Sequence, residues 1–268
     1  MAVKWVDRVP TNPNRMKITP ENGSSYFATV ERADNPTVVG TPVNAANLNA
    51  MQEAAGLTGH RTVYVATTGS DATGDGSQAA PFATINKAVT SIPKNLNGFV
   101  ATINIAGGVY NESVYAGYFG NGLFRITGVA GDVVTVNKLE FFNVNYMEID
   151  SISLHVQGQF FHANASSVRV QTPFSASGGQ YGIYASNFSN VSFRDTVTIN
   201  GATNAIFSTS GSCLYVDRLL GSGNTVAFAS TLGSICAFDK DESTATTKYY
   251  SVSGGRIYTG SQTNIPIN

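Results

Sequence analysis

The chain has 268 residues, of which 42% are hydrophobic and only 12% are charged, with 27 glycines, a formal net charge of −1 and a pI near 6.3. This charge balance argues against the basic surface that nucleic-acid binding requires. The sequence has no apolar run of about 18 residues and no hydrophobic segment of the signal-peptide kind, so we expect a soluble chain without a membrane span that is not exported by that route.

Residues 1–58 lack the periodicity of the rest of the chain and carry most of its prolines, at positions 10, 13, 20, 36 and 42. We predict an extended segment followed by a short helix from Thr41 to Glu53, with Pro42 in its first turn and Leu48 and Met51 on one face. Gly56 ends it. A helix of about three turns is too short to be stable alone, so it should pack against a partner or against its own copies.

In residues 59–100 the sequence predicts a strand, a loop and a helix. The strand covers residues 62–66 and the Gly-rich loop residues 69–77. Residues 81–89 predict a helix whose apolar side carries Phe82, Ile85, Ala88 and Val89. Laid across the first rung of the repeats that begin near residue 101, this helix would cover an open apolar end and its unpaired strand edges.

From residue 101 onward, apolar residues recur at a nearly fixed period. Taking as anchors Ile149, Val170, Phe193, Val216 and Phe238, the steps are 21, 23, 23 and 22 residues, and the series extends back to Ile126 and Ile105. Each anchor has another apolar residue two positions earlier: Ile103, Phe124, Met147, Val168, Val191, Leu214 and Cys236. This alternation indicates strands. About seven repeats of 21–23 residues, too short for helical hairpins, predict a parallel β-helix over residues 101–268, with a partial coil at its end.

Other positions repeat at the same period. Ten residues before an anchor we expect a second inward column of Phe160, Ile183, Ile206 and Phe228. The third strand of each coil is less regular, with the inward candidates Val134, Leu154, Val197 and Leu220. Four residues before an anchor a recurring turn is predicted, where side chains bond the backbone, at Asn145, Ser166, Ser189, Ser212 and Ser234. Cys236 should point inward and Cys213 away from it, so no disulfide is expected.

Two segments resemble known families. Residues 63–65, 69–71, 74–76 and 81–85, with Ala88, resemble the first segment of pectate-lyase-like right-handed β-helix proteins. Residues 5–10 and 40–51 resemble the attachment segments of tail fibre, tail spike and baseplate proteins of phages and prophage-like particles. The resemblance implies an all-β, right-handed parallel β-helix with an N-terminal capping helix, behind a small extended and helical adaptor.

The same resemblance implies partners and a location. The expected partners are two further copies of the chain in a homotrimer, tail or baseplate proteins bound through residues 1–58, and a bacterial surface glycan. The particle would be a virion or a phage-tail-like assembly, formed in the bacterial host cytoplasm. The residues expected to attach to it are Trp5, Pro42, Asn44, Asn47, Leu48 and Met51.

Two outward columns are defined by the inward anchors. One comprises Asn104, Arg125, Glu148, Arg169, Ser192, Tyr215 and Ala237, and the other Ala106, Thr127, Asp150, Gln171, Arg194, Asp217 and Asp239. One interpretation is a sugar-binding groove, with Glu148 and Asp150 about 6.5 to 7 Å apart as the carboxylates of an inverting glycosidase. The other, which we favour, is a ladder of alternating charges, because neighbouring arginines lower the carboxylate pKa that a general acid needs raised.

Other candidates carry weaker signals. Asp71 and Asp75 could bind Ca²⁺, but their spacing lacks the EF-hand pattern and favours a turn. The three histidines, at positions 60, 155 and 162, show no metal-ligand spacing and are expected at the surface, and no cofactor is predicted. Tyrosines can stack on sugar rings. They cluster with Phe119 in a first-rung loop, at positions 110, 115 and 118, and again at 181 and 184. The glycan-binding candidates are Arg125, Arg169, Tyr215, Asp217, Tyr181 and Tyr184.

Two classes of function therefore compete. The first is a non-catalytic structural or receptor-binding appendage, whose weak single contacts add through avidity. The second is a spike that depolymerises a host surface polysaccharide, as a glycoside hydrolase or a polysaccharide lyase; a free bacterial β-helix protein is a third possibility. Seven coils give a shaft only about 30 to 35 Å long, which is short for a processive groove and favours the first class.

Overall fold

The computed structural model describes residues 15–18, 26–29, 47–48, 51, 56–157 and 161–259. The chain divides into two units, Met1–Ala55 and Gly56–Asn268. In the first, strands β1 (Arg15–Ile18) and β2 (Tyr26–Thr29) pair in antiparallel fashion. Asn47, Leu48 and Met51 are helical, whereas the rest of the predicted helix, with Pro42 and Asn44, lies outside the described residues, as does Trp5.

The second unit contains one described helix, α1 (Ile85–Ser91). Its described strands are β3 (Arg61–Val65), β4 (Val100–Ile105), β5 (Gly108–Gly117), β6 (Leu123–Gly128), β7 (Val133–Phe142), β8 (Met147–Ile149), β9 (Ser153–Gln157), β10 (Phe161–Asn164), β11 (Ser167–Val170), β12 (Phe174–Ser177), β13 (Tyr181–Ser186), β14 (Asn190–Asn200), β15 (Asn204–Ser208), β16 (Cys213–Leu220), β17 (Asn224–Thr231), β18 (Ile235–Asp241), β19 (Ala245–Val252) and β20 (Arg256–Thr259). None of the described helical segments is long and apolar enough to cross a membrane.

All described pairings in this unit are parallel, and they wind the chain into a β-solenoid of about seven turns, which confirms the predicted parallel β-helix. Each turn contributes to three sheets. The anchor sheet stacks β3, β4, β6, β8, β11, β14, β16, β18 and β20. The middle sheet comes next in the chain and includes β9, β12 and the ends of β14 and β16. The closing sheet completes the turn with the ends of β5 and β7 and with β10, β13, β15, β17 and β19.

The register corrects three predicted positions. Ile126 lies opposite Ile103, not Ile105, so the anchor of the first repeat is Ile103 and the step to Ile126 is one full repeat. Phe160 lies outside the described residues, and Phe161 pairs with Ile183 in the inward column of the closing sheet. In the middle sheet Leu219, not Leu220, is fully buried opposite Val197. At Phe160 and at Leu220 the neighbouring residue is also apolar, so the sequence leaves the inward position ambiguous by one residue. At Ile105 the residue two positions earlier is apolar and faces the same way, so the ambiguity is two residues.

The core is continuous along the solenoid and is richest in aromatic side chains at its centre. Phe161 of the closing sheet has its ring centroid 5.3 Å from that of Phe141 in the preceding coil. It lies 5.8 Å from Phe174 and 5.2 Å from Phe193, so all three sheets meet at this residue. All four rings are buried. Tilted and edge-to-face arrangements of this kind add to the free energy gained by burial alone.

A ladder of serines holds the corner before each anchor strand. The backbone N–H of Val144 donates to Ser166 Oγ at 3.1 Å, that of Ser166 to Ser189 Oγ at 3.2 Å, and that of Ser189 to Ser212 Oγ at 3.1 Å. Each hydroxyl therefore satisfies a buried donor of the preceding coil. The predicted column of turn residues is correct for the serines. Their hydroxyls bond the backbone of the preceding coil as well as nearby backbone groups. Asn145, the first residue of the predicted column, is exposed.

Helix α1 packs its buried face of Ile85, Ala88 and Val89 against β3, β4 and β5. It begins at Ile85 instead of Pro81 because Thr84 is the N-cap, and Phe82 instead bridges to Val65. Asp71 accepts hydrogen bonds from the backbone N–H of Ala83 and Thr84 and from the Thr84 hydroxyl.

A second carboxylate completes this cap from a distant strand. Glu112 of β5 accepts from the backbone N–H of Ile85 at 2.7 Å and from that of Asn86 at 3.0 Å. The first N–H groups of a helix have no partner within the helix, so two carboxylates at this end supply partners for several of them. The helix that covers the first coil is thus fastened both to the loop before it and to the coil itself.

We expect Asp71→Ala to lower the free energy of unfolding by about 1 to 2 kcal/mol, as loss of a cap does. Burial alone would raise the pKa of Asp71, but hydrogen bonds from Thr84 and Ala83 bring it below its usual value of 3.8. The carboxylate therefore stabilises the fold fully above that usual value, and this contribution is lost as the pH falls through the lower pKa of the folded state. Urea titrations at pH 7 and near pH 2 should show a difference between variant and wild type that shrinks in acid.

The matched control for this change is Asp75→Ala in the same loop. Asp75 accepts from the nearby Ser77 N–H at 2.9 Å, and among the described contacts none joins it to the helix. Its replacement should leave the unfolding midpoint nearly unchanged. Equal effects of the two replacements would contradict the capping role of Asp71.

Candidate functional site

The anchor sheet displays a ladder of charges on its outer face. Arg125, Glu148 and Arg169 are register partners on successive strands, as the sequence predicts. The shift at Ile103 changes the start of both outward columns: Thr102, not Asn104, lies beside Arg125, and Asn104, not Ala106, lies beside Thr127. The candidate carboxylates therefore lie on the predicted face, one coil from Arg125.

Arg125 pairs with both candidate carboxylates. Its Nη2 atom lies 2.9 Å from Glu148 Oε2, and its Nε atom lies 3.6 Å from Asp150 Oδ2. The Tyr146 hydroxyl donates to Glu148 Oε1 at 2.9 Å. Burial acts to raise the pKa of Glu148, but the bonds from Arg125 and Tyr146 and the charges of Arg125 and Arg169 bring it below its usual value. The predicted lowering is confirmed for Glu148, which is therefore poorly suited to act as a general acid.

Further along the same face, the candidate binding residues engage one another. The Arg194 guanidinium lies 4.3 Å from the centre of the Tyr215 ring, and its Nη1 atom is 3.7 Å from Asp217 Oδ1. Burial, together with hydrogen bonding to Asp239 and the nearby charges of Asp217 and Asp239, raises the pKa of Tyr215. Arg169 is exposed. The glycan-binding role of these residues stays a prediction.

A column of aromatic rings runs along the outer face of the closing sheet. His162 stacks on Tyr184 with centroids 4.5 Å apart, Tyr184 on Phe207 at 5.3 Å, and Tyr181 on both Tyr184 and Phe207. Tyr115 and Phe142 stack at 4.8 Å in the first coils. Tyr184 has ring neighbours in the coils before and after it, so it presents its edge and hydroxyl outward. Sugar contact through its ring face would require the stack to open.

The aromatic residues of the first rung separate into two groups. Tyr110 and Phe119 are buried, while Tyr115 and Tyr118 are exposed. Tyr110 and Tyr115 lie in β5, not in a loop as predicted. Burial and the charges of Glu112 and Asp132 raise the pKa of Tyr110 to about 12.

Beside the aromatic column, three polar side chains from successive coils form a connected chain. His162 Nε2 lies 3.0 Å from Ser186 Oγ, and His162 Nδ1 lies 3.5 Å from Glu140 Oε1. Lys138 Nζ is 2.8 Å from the same Glu140 oxygen. His162 is only 9% exposed, which corrects its predicted place at the surface. Burial lowers the pKa of His162 more than Glu140 raises it, so the imidazole is neutral at pH 7.

The sequence contains a signal for this chain of side chains that a search for local motifs misses. The three residues are separated by 22 and 24 positions, close to one repeat. In a solenoid, residues one period apart are neighbours in space. His155 shows the same effect in the middle sheet, where its Nδ1 atom lies 2.8 Å from Ser175 Oγ, but no carboxylate is bonded to it among the described contacts.

The remaining candidates have structural partners. Asp71 and Asp75 accept from the backbone N–H groups of Ala83, Thr84 and Ser77. His60 accepts from the Val100 N–H at 3.1 Å. Cys213 is exposed and Cys236 buried, as predicted, and both thiols are free. Across the described residues, no three His, Cys, Asp or Glu side chains are grouped so as to hold a metal ion.

Comparison with known proteins gives no match to a family model, to a curated protein or to a solved structure. The fold is therefore established from this chain alone. The resemblances of residues 1–110 to tail appendages and pectate-lyase-like proteins stay predictions.

Proposed function

We propose that this protein is a spike or fibre appendage of a phage-type particle. In this proposal residues 1–58 dock on the tail or baseplate, and a trimer of β-solenoids faces the bacterial surface. The observation that carries the proposal is the β-solenoid of about seven turns within Gly56–Asn268, a fold suited to a rigid projecting shaft. A β-helix fits tail spikes and fibres in general. The attachment resemblance of residues 5–10 and 40–51 supplies the specific context.

The charges of the anchor sheet favour binding over cleavage of glycosidic bonds. An inverting glycosidase needs one protonated carboxylic acid and one carboxylate. Arg125 contacts both Glu148 and Asp150, and it helps to keep Glu148 ionised. The depolymerase alternative therefore lacks a general acid at its best candidate position.

An apolar corner of the solenoid favours assembly of several copies. Phe188 is 83% exposed and Leu232 58% exposed, and both occupy the turn between the closing and anchor sheets. Both also have positive φ, 61° and 52°, which is costly for a bulky side chain. Large exposed apolar residues on a regular scaffold are typical of protein interfaces. We assign this corner to contacts between copies of the chain in the trimer.

The proposal predicts both an assembly state and a docking requirement. Light scattering on the purified chain should give about three times the 28.2 kDa chain mass. A chain lacking residues 1–56 should keep the circular dichroism of a folded solenoid but should no longer be incorporated into tail particles assembled in the host. Incubation of the full chain with the host glycan should release no reducing ends.

A substitution at the apolar corner, compared with one elsewhere on the solenoid, tests the assembly. Phe188→Ser should shift the protein towards monomer, whereas Phe207→Ser, on the closing face away from that corner, should not. A full-length monomer at micromolar concentration would contradict the trimer. Particles that carry the truncated chain at the normal level would contradict docking through the N-terminal segment.

A further inference from the structure

We propose that Glu140, His162 and Ser186 form a catalytic triad that hydrolyses a small acyl ester. The order of the three side chains, hydroxyl to imidazole to carboxylate, is that of a nucleophile, its general base and the group that orients the base. This activity goes beyond the proposed appendage function and does not depend on it. It would remove an acyl group and leave glycosidic bonds intact.

The fold places the three groups through its register. Glu140, His162 and Tyr184 are partners on three successive strands of the closing sheet, and Ser186 lies two residues beyond Tyr184 on β13. Their core-facing neighbours, Phe161, Ala163 and Ala185, are fully buried and fix the strands. All three polar side chains therefore lie on the outer face of the sheet, where neighbouring side chains bury His162 and Ser186.

The distances suit proton transfer. Ser186 Oγ lies 3.0 Å from His162 Nε2, within the range for a nucleophile and its base. Glu140 Oε1 lies 3.5 Å from Nδ1, and a proton held on Nδ1 by this carboxylate would make Nε2 the acceptor. Such bonds are often long before substrate binds. Stacking on Tyr184 and an edge contact with Phe142, at 5.5 Å, hold the ring in place.

The register brings one amide beside Ser186, as a candidate donor to a developing oxyanion. Asn164 is the register partner of Ser186 on the preceding coil. Its side-chain oxygen accepts from Asn187 Nδ2 at 3.2 Å. The chain then enters a strained turn, with φ of 54° at Asn187 and 61° at Phe188. A serine at the end of a strand, followed by such a turn, is a favourable position for a nucleophile.

The reaction balances without a cofactor. Ser186 Oγ attacks the ester carbonyl carbon, and its proton passes to His162 Nε2. The bond from that carbon to the alcohol oxygen then breaks, and His162 returns the proton to the departing alkoxide. Water attacks the acyl-serine and gives a proton to Nε2, and the acid leaves as Ser186 regains its hydrogen. Ester and water become acid and alcohol.

The surroundings restrict the substrate. Ser186 is 4% exposed, so little room remains around its hydroxyl. We therefore restrict the proposed substrate to a short acyl group such as acetyl, because a long chain has more atoms to place beside a buried hydroxyl. Exclusion of water also strengthens the hydrogen bonds of the triad. The chemical class is therefore a small acyl ester, as found on O-acetylated sugars.

The test uses the full purified chain, a fluorophosphonate probe and 4-nitrophenyl acetate. We expect one covalent adduct, located at Ser186 by peptide mapping, and ester hydrolysis that saturates with substrate. His162→Gln should slow both reactions by at least about 100-fold, as loss of a general base does. Glu140→Gln should also slow both, because the imidazole would lose its orientation.

The middle sheet offers a matched control, because His155 and Ser175 form a similar pair without a bonded carboxylate in the described structure. Ser175→Ala should leave labelling and hydrolysis unchanged, and Ser186→Ala should abolish both while the circular dichroism spectrum is retained. Absence of an adduct at Ser186 on the wild-type chain would overturn the proposal even if Ser186→Ala fails to fold. Equal labelling of Ser175, or labelling unaffected in a folded His162→Gln, would also overturn it.

Discussion

Replacing Phe161 by alanine is expected to lower the free energy of unfolding by about 3 to 5 kcal/mol, the range for a buried phenylalanine. Phe161 has no exposed surface and touches rings from all three sheets, so its loss leaves a cavity that the rigid coils cannot close. Urea denaturation followed by circular dichroism measures the change. Because repeat arrays can unfold in stages, hydrogen exchange of Ala163 should be measured alongside it.

The matched control removes a phenylalanine from the outside of the same sheet. Phe207 is half-buried and stacks on Tyr181 and Tyr184. Phe207→Ala should cost only about 1 kcal/mol, the scale of an aromatic pair. If Phe161→Ala cost no more than Phe207→Ala, the described core packing would be wrong.

Gly221→Ala is expected to prevent folding or to lower the melting temperature far more than Gly131→Ala. A Cβ at this position would lie 1.8 Å from the Ile199 carbonyl oxygen of the preceding coil, and the residue has φ of +121°. Neither the strand end at Ile199 nor the turn can retreat without breaking pairings on both sides. Soluble yield and a thermal melt measure the effect.

Gly131→Ala is the control that distinguishes the steric overlap expected in Gly221→Ala from the backbone strain that both substitutions cause. Gly131 also has positive φ, +91°, but an added Cβ would meet no atom within 4 Å. This change should cost only about 1 kcal/mol, from the strain of a left-handed conformation. Similar melting temperatures for the two variants would argue against the close approach of the coils at Gly221.

The sequence predicted the sheet faces better than the exact register. Alternation identifies which residues face inward, because side chains of a strand alternate between its two faces. It does not choose between Ile103 and Ile105, since both face inward and both are buried. Between Phe193 and Thr196 the pairing also shifts, and a fixed count from the anchor then misses Leu219. Bulges at the corners are set by backbone geometry, which composition does not encode.

The candidate sites, too, are predictable from the sequence only where the sheet register is. The charge ladder of Arg125 and Glu148 was found because it belongs to the best-defined sheet. The sequence does not reveal the group at His162, because the adjacent Phe160 and Phe161 leave the inward and outward faces of the closing sheet ambiguous there. Burial of His162 depends on packing with Phe142 and Tyr184, which only the folded chain brings together.

The serine ladder has a consequence for how such a protein can change over generations. The hydroxyls of Ser166, Ser189 and Ser212 each accept a hydrogen bond from the coil before them, so the same connection is made at every step. Duplication or deletion of one whole repeat would recreate the bond at the new junction. Each such event would alter the reach of the molecule by about 4.8 Å, the spacing of stacked strands. Length is therefore a trait that selection can adjust in discrete increments without redesign of the core.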